Sequence, residues 1–279
     1  SVTFNYGSSP QEQMDLFLEG KLDIVTDLPP NAAKDIVDNQ IADFQDKPVK
    51  YVLGRYPLMM TTYLSLNNSK APFSNKKIRQ ALAYAIDKNK LVNDVLKGEA
   101  FGPADNGIVP PAINGYDYSS IVGLEFNVEK AKQLLAEAGY KNGEGFPSIT
   151  LTSSQSNNNI RTALNIQKQL LTNLNIRVEL ESMPLIDLIE KEKDAKTDMT
   201  LSAWLAEFPD PISFLALFNG ASVPTSLEEP SYINRSRYNN TSFNKSFNQA
   251  ISMIDLKKKY EYCLEADQIF ASDVPAIPL

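Results

Sequence analysis

Histidine is absent from the 279 residues of this chain. Without imidazole there is no Ser/His/Asp or Cys/His catalysis and no His-ligated zinc. Acid–base chemistry near neutral pH is therefore narrowed mainly to carboxylates. The Walker, GxGxxG, HExxH, GxSxG and EF-hand motifs are missing as well. The sequence predicts a protein without enzymatic activity, and it indicates no metal or other cofactor.

Cysteine and long apolar runs are also scarce. Cys263 is the single cysteine, which excludes an intrachain disulfide, and its helical setting beside Leu264 and Ile269 predicts a core thiol. No run of about 18 apolar residues occurs, so no membrane-spanning helix is predicted. Because the chain opens in a strand-like segment without a leader or an initiating Met, we expect a trimmed chain.

Lysine and arginine are fewer than aspartate and glutamate, 27 against 34. The formal net charge is −7, and no long basic run creates the field that attracts nucleic acid or anionic membranes. Lys257–Lys259 falls in a helical pattern and is predicted to be a solvated helix face. Nucleic acid is therefore not expected among the partners of this chain.

The apolar pattern alternates between strand and helix periods, which predicts an α/β fold with a mixed sheet flanked by helices. The clearest helix begins after Ser74, its predicted N-cap, with Ile78, Leu82 and Ala85 on one buried face. Residues 147–183 read as strand, helix and strand, a unit that pairs its strands in parallel. Further strands are predicted at residues 1–6, 21–27, 49–55, 59–67 and 198–204.

A Gly- and Pro-rich connection, residues 98–119, is too long to be an idle link in a compact domain. A functional loop and a surface excursion held by its own turns are both open at this point.

The segment "SAWLAEFPDPISF" (202–214) carries the most informative side chains. Trp204 ends an apolar strand, where ligands of α/β sheets collect. Asp210 before Pro211 is explained as a helix cap. Glu207 has no such explanation, so it either faces solvent or stands at the mouth of a cleft.

Several segments resemble the extracytoplasmic solute-binding proteins of peptide ABC transporters, the oligopeptide- and dipeptide-binding family 5. Residues 63–100, "YLSLNNSKAPFSNKKIRQALAYAIDKNKLVNDVLKGEA", resemble its signature of an apolar strand, Asn, a Pro-Phe turn and an Arg-Gln-Ala-Leu helix. "GPADNGIVPP", "GYD", "NVEKAKQLLAEAGY", "AEFPDPISF" and "SRYNNTSFNKSFNQAI" follow in the family's order. The resemblance covers most of the chain.

The resemblance implies a periplasmic-binding-protein-like clamp of type II, in the cluster with an extra domain, of which this chain is the C-terminal part. Residues 1–48 would belong to the first lobe, 49–270 to the second lobe, and 271–279 to a strand returning towards the first. Because half of the cleft would be missing, we expect weak or undetectable ligand binding by these residues alone.

The resemblance also implies a ligand site. In peptide-binding members, an acid in this segment takes the ligand's α-ammonium and the tryptophan three residues earlier lines the pocket; those positions are Glu207 and Trp204. Leu205, Ala206 and Phe208, which lie between and beside them, are further expected ligand-binding residues. The acid is commonly aspartate, so glutamate is a departure. The expected partners are a peptide and a membrane permease. The expected protein is a monomer that is periplasmic or extracellular, and a lipid anchor in the full-length protein is left open.

Two other functions are consistent with the residues. An oligosaccharide- or metal-chelate-binding receptor of the same fold would stack Trp204 on a sugar ring and use Glu207 to accept hydroxyls. A carboxylate-dependent hydrolase would pair Glu207 with Asp210 at the separation that glycosidases need.

Overall fold

The computed structural model describes residues 3, 9–26, 28–29, 32, 42–45, 50–54, 56–97 and 100–279. Their centre is a five-stranded mixed sheet with the order β3-β2-β4-β1-β5. β2 runs parallel to β3 and β4, whereas β1 is antiparallel to β4 and β5. The strands are β1 (Met60–Leu66), β2 (Ile149–Ser154), β3 (Val178–Met183), β4 (Met199–Leu205) and β5 (Ala276–Pro278).

Helices connect and cover these strands. A π-helical stretch, Leu91–Leu96, continues the short helix Lys88–Lys90, and 3₁₀ turns at Ala216–Phe218 and Gly220–Ser222 follow the short helix Ile212–Leu215. The α-helices are α1 (Pro10–Leu18), α2 (Ala42–Gln45), α3 (Lys76–Ala85), α4 (Lys88–Lys90), α5 (Val128–Glu137), α6 (Asn157–Leu174), α7 (Leu185–Lys193), α8 (Ile212–Leu215), α9 (Thr241–Ser252) and α10 (Leu256–Asp273).

The sheet buries both faces, because side chains alternate along its strands. On one face Leu64 is opposite Leu201, and both join α3, α5 and α6 in a first core. On the other face Tyr63 packs with α8, α9 and α10 in a second core, which contains the buried Cys263. The α/β class, the parallel β2–β3 pair and the core thiol are thus confirmed.

Some local predictions need correction. Helix α3 is capped by Asn75, whose side chain accepts the N–H of Lys77, so it begins one residue later than the predicted Ser74 cap requires. Residues 21–26 and 50–54 form no strand, with Ile24 77% and Val52 82% exposed. A segment with alternating side chains forms a stable strand only where a neighbouring strand pairs with its backbone. These described residues have no such neighbouring strand.

Other predictions are not settled. The predicted strand at residues 1–6 lies outside the described residues, apart from Thr3. The boundaries at 48 and 270 stay predictions. Within the segment predicted to return to a first lobe, Ala276–Pro278 is β5, at the edge of this same sheet.

Arg79 links the two cores. Its guanidinium, on α3, donates to the carbonyl oxygens of Phe73 (2.8 Å), Asp273 (2.8 Å) and Val274 (2.9 Å). The latter two carbonyls lie where α10 ends and would otherwise be unsatisfied helix acceptors. The Asp273 carboxylate in turn accepts the hydroxyl of Tyr238 at 2.8 Å. This group fixes the path from α10 into β5.

The Gly- and Pro-rich connection packs into the second core around Asp267 of α10. Ile108 is buried there, and its N–H donates to Asp267 Oδ1 at 2.8 Å. The hydroxyl of Tyr116 donates to Oδ2 at 3.0 Å. A Cβ at Gly107 would stand 2.1 Å from Oδ1, so only glycine fits this approach. Within its described residues, the connection is therefore an excursion held by a buried carboxyl.

We expect Arg79→Met to lower the free energy of unfolding by about 3 kcal/mol, because it leaves buried carbonyl oxygens without donors. Urea denaturation followed by circular dichroism measures this. Lys77→Met, on the same helix, removes an exposed ion pair with Glu137 and is the matched control with a much smaller effect. A loss below about 1 kcal/mol in Arg79→Met would contradict the role of this guanidinium.

Asp267 makes stability depend on pH. Burial raises the pKa of this carboxyl from 3.8 to about 6, partly offset by hydrogen bonds from Ile108, Tyr116 and Val109. The folded state therefore holds the proton more tightly than the unfolded state. The resulting stabilisation is complete below pH 3.8 and is lost as the pH rises through about 6, an effect of at most roughly 3 kcal/mol.

We therefore expect Asp267→Asn to become more stable relative to the wild type as the pH is raised from 4 to 7, since an amide has no proton to lose. Chemical denaturation at several pH values measures the difference. Glu261→Gln, an exposed change on the same helix, is the control and should follow the wild type. Parallel curves for Asp267→Asn and the wild type would exclude this carboxyl as the titrating group.

Candidate functional site

The segment Trp204–Phe208 lies at the C-terminal end of β4, the middle strand of the sheet. Trp204 is half-buried, with its ring against the second core. Leu205 is 61% and Phe208 47% exposed, and Glu207 is exposed as well. The strand thus carries these side chains out of the core at the sheet edge where α/β proteins bind ligands.

Ser213 fixes the local geometry. Its Oγ, in α8, accepts the indole Nε1–H of Trp204 and the backbone N–H of Glu207, both at 3.3 Å. The N–H of Ala206 donates to the carbonyl oxygen of Met59 at 2.8 Å, which extends the β1–β4 pairing. One hydroxyl therefore sets the distance between the predicted aromatic wall and the predicted acid.

The Glu207 carboxylate has no hydrogen-bond or ion-pair partner among the described residues. Its backbone is held by Ser213, but within the described part of the chain no ion pair or hydrogen bond to its side-chain oxygens is recorded. A carboxylate without a partner at the end of a central strand can accept hydrogen bonds from a ligand or pair with a ligand cation.

The Asp210 carboxylate, by contrast, has two partners. Its Oδ1 accepts the N–H of Ile212 at 3.0 Å, which confirms the predicted capping role, and its Oδ2 pairs with Lys259 of α10. Lys259 is therefore only partly solvated, unlike Lys257 and Lys258, which are exposed as predicted. The second carboxylate that a two-acid hydrolase requires is thus already in use.

Exposed apolar side chains surround the site. Met60 (42% exposed) is the register partner of Leu205, and Leu58 (65% exposed) precedes it. Together with Phe208 they place a group of large apolar side chains at this edge. Clustered exposed apolar side chains mark interaction surfaces.

A small polar pocket lies behind Trp204. Its cavity volume is about 10 Å³, which is room for about one water molecule. Glu192, near the end of α7, is 4% exposed, and its Oε2 lies 3.6 Å from Nη1 of Arg235. Burial raises the pKa of Glu192, against the hydrogen bond of Ser65, the charge and hydrogen bonding of Arg235, and the hydrogen bond of Ser202. The residues that line it include Tyr63, Ser65, Glu192, Trp204, Ile233 and Arg235.

The sequence interpretation missed this pocket. Glu192 stands in the highly charged run "EKEKD" (190–194), which reads as solvated. The available signal was its spacing, because it follows Leu188 by four residues and therefore shares that buried helix face. Arg235 lies in an irregular segment whose pattern predicts nothing about burial.

Neither a metal centre nor a membrane-spanning helix is evident in the described residues. Among them, no three His, Cys, Asp or Glu side chains approach closely enough to share a metal ion. The helices there are also too short or too polar to cross a bilayer.

A mixed sheet covered by helices on both faces, with an open acidic and aromatic site at the end of its middle strand, defines an α/β ligand-binding lobe. Comparison with known proteins identifies its class. The family described as bacterial extracellular solute-binding proteins, family 5 (middle region), matches residues 1–225. This chain belongs to that family, which confirms the fold predicted from the resemblance.

Similar proteins include heme-binding protein A of Haemophilus influenzae, 30% identical over 219 residues (78% of this chain, 38% of the relative). The oligopeptide-binding protein OppA of Bacillus subtilis is 29% identical over 231 residues (80% and 40%). The structure of DppA from Helicobacter pylori in complex with the peptide STSA is 25% identical with a TM-score of 0.78 (97% and 49%). The chain spans less than half the length of each of these proteins.

Ser213→Ala should loosen the site. Loss of the shared acceptor frees both the indole and the Glu207 backbone, and we expect a fall of about 1–2 kcal/mol in the free energy of unfolding. Because Trp204 is the only tryptophan, its fluorescence should shift to the red and become more accessible to acrylamide. Ser246→Ala, which removes a 3.2 Å hydrogen bond to Glu265, is the control that should leave this emission unchanged. Unaltered quenching in Ser213→Ala would contradict the anchoring role.

Proposed function

We propose that this chain forms one lobe of the extracytoplasmic substrate-binding component of an ABC importer, which takes up peptides and delivers them to a membrane permease. The observation that supports this proposal is that the Glu207 carboxylate has no partner among the described residues. Ser213 holds the backbone of Glu207 beside Trp204, and the chain belongs to the solute-binding family. The proposed contacts are Glu207 with the peptide's α-ammonium and Trp204, Leu205, Ala206 and Phe208 around its first residues.

The ammonium contact requires exclusion of water. Two unit charges about 4 Å apart interact with about 4 kcal/mol at an effective dielectric constant of about 20, but with about 1 kcal/mol in bulk water. Because Glu207 is exposed in this lobe, the contact can fix the register of a peptide only when a second surface closes over it. Main-chain hydrogen bonds to an extended peptide would add affinity that does not depend on its sequence.

The second surface is proposed to be another lobe. Leu58, Met60, Leu205 and Phe208 offer it an apolar rim, and the relatives are more than twice as long as the matched segments. In this proposal residues 1–48 contribute to that other lobe, residues 49–270 form the present one, and the protein acts as a monomer in the periplasm or outside the cell, with or without a lipid anchor.

A chelate ligand is the second candidate, because the relative with 30% identity is named a heme-binding protein and the site edge is apolar. Oligosaccharide binding, with a sugar ring stacked on Trp204, is a separate alternative within the same fold and has less support. Thermal shifts of the complete protein with peptides, oligosaccharides and heme separate these ligands, since only a ligand that binds the folded state raises the melting temperature.

In the complete two-lobed protein, we expect Glu207→Gln to weaken binding of a peptide with a free amino terminus by about 2–5 kcal/mol, because the enclosed ammonium loses its charge partner. Isothermal titration calorimetry measures this, and the N-acetylated form of the same peptide should lose much less. Glu228→Gln, an exposed change of equal charge, is the control. Equal losses for the free and the acetylated peptide would remove Glu207 from this role.

A further inference from the structure

Asparagine followed by glycine occurs four times in the chain, at residues 106–107, 114–115, 142–143 and 219–220. Asparagine is chemically least stable in this dipeptide, because glycine has no side chain to keep its backbone nitrogen away from the preceding carboxamide. The reaction also needs that nitrogen to be free to move and accessible to water. The fold therefore decides which of the four pairs can react.

Three of these pairs are restrained by burial or by hydrogen bonds. Gly107 is buried. The N–H of Gly143 donates to the carbonyl oxygen of Tyr140 at 3.0 Å. The N–H of Gly220 donates to Asn244 Oδ1 at 2.8 Å. In each pair the nitrogen that would attack the carboxamide is shielded from water or already bonded, so the structure must open locally before it can react.

The fourth pair, Asn114 and Gly115, is exposed at both residues. The N–H of Tyr116 donates to the carbonyl oxygen of Ile113 at 3.3 Å, and Gly115 has a φ of 79°. These features define a type II turn with the pair at its two central positions. The Gly115 N–H takes no part in the turn's own hydrogen bond, and it has no acceptor in the part of the chain that the structure describes. The hydroxyl of Tyr260 lies 3.5 Å from the Asn114 carbonyl oxygen, which is too far to restrain it.

We propose that Asn114 is a site of spontaneous deamidation in the folded protein, with water as the co-reactant. Hydroxide takes the proton of the Gly115 N–H, and this nitrogen forms a bond to Cγ of Asn114. The bond from Cγ to the side-chain nitrogen breaks, and that nitrogen leaves as ammonia with a proton from water. Water then opens the cyclic succinimide at either of its carbonyl groups, which gives aspartate or isoaspartate. This inference does not rest on the proposed peptide-binding function.

Isoaspartate lengthens the main chain by one atom between two buried anchors of the turn. Ile113 lies in the second core, and the hydroxyl of Tyr116 donates to Asp267 Oδ2 at 3.0 Å. The added atom disrupts the 3.3 Å hydrogen bond of the turn and shifts one anchor relative to the other. Aspartate at position 114 adds a charge at an exposed position but leaves the length of the main chain unchanged. The isoaspartate product therefore loosens the Gly- and Pro-rich connection where Asp267 holds it.

The test incubates the complete protein in mildly alkaline buffer at physiological temperature and follows all four asparagines by peptide mapping with mass spectrometry. Replacement of the side-chain NH₂ by OH changes the peptide mass, and fragmentation identifies the residue and distinguishes aspartate from isoaspartate. In the folded protein, we expect Asn114 to convert at least about tenfold faster than the asparagines of the other three pairs. In concentrated guanidinium chloride the four should convert at similar rates, because glycine follows each of them.

Variants connect the reaction to stability. After the same incubation, the isoaspartate fraction of the wild type should melt about 2–4 °C lower than fresh protein. Asn114→Asp supplies the charge without the added atom and should melt like fresh wild type. Asn114→Gln forms a cyclic imide far more slowly and should show no fall on incubation. Asn142→Gln, which removes an exposed but restrained Asn-Gly pair, is the matched control and should lose stability as the wild type does.

Three results would overturn the inference or its consequence. Conversion of Asn114 in the folded protein no faster than that of the other three asparagines excludes it as the reactive site. An equal advantage of Asn114 in guanidinium chloride shows that the neighbouring sequence selects it, and the structural argument is then wrong. If Asn114 converts but the incubated wild type melts like incubated Asn114→Gln, the turn is not coupled to Asp267. Circular dichroism of each variant shows that it is folded, and the comparison of the four asparagines in the wild type needs no variant.

Discussion

The contact of Arg79 with the end of α10 is the constraint on which the arrangement of the lobe depends. The first core lies between the sheet and α3, and the second lies between the other sheet face and α10. Arg79 joins those two helices through carbonyl oxygens that no further turn of α10 can satisfy. Because β5 begins three residues after α10 ends, this contact also aligns β5 with β1, and β1 with the strand that carries the site.

Asparagine side chains continue this alignment at the far end of β1. The side-chain amide of Asn67 donates to the carbonyl oxygens of Ala195 and Thr197, just before β4. Asn68 donates to those of Ser236 and Pro275, just before α9 and β5. Side-chain amides that donate to distant backbone carbonyls make these bonds only in one chain path. The Asn-Asn pair and the Arg-Gln-Ala-Leu helix of the resemblance therefore have a structural explanation, namely that they fix the order of strands.

The helices and central strands could be predicted because their signal is local. In α3, α5 and α6 the apolar residues repeat with the helix period. In β2 and β4 apolar residues alternate with small polar ones. The failures at residues 21–26 and 50–54 have a different origin. A strand needs a partner that its own residues do not specify, so alternation alone could not distinguish a paired from an unpaired segment.

The site was only half predictable for a similar reason. Glu207 could be identified because no cap or helix face explained an acid between Ala206 and Phe208. The pair of Glu192 and Arg235 is 43 positions apart in the sequence and meets only through tertiary packing. A charged residue in a charged helix gives no sign of its burial except through its spacing from Leu188, and Arg235 gives none.

The two acidic groups differ in their electrostatic surroundings because one charge is compensated and the other is not. Glu192 is enclosed, and its charge is balanced by Arg235, so it projects little field and discriminates only at hydrogen-bond distance. Glu207 is exposed and unbalanced, so it attracts any cation but holds none firmly while water surrounds it. Closure over the site would strengthen the second interaction much more than the first. The strength of any ionic contact at Glu207 would therefore be governed by the surface that covers it, whereas the field of Glu192 stays confined to the pocket behind Trp204.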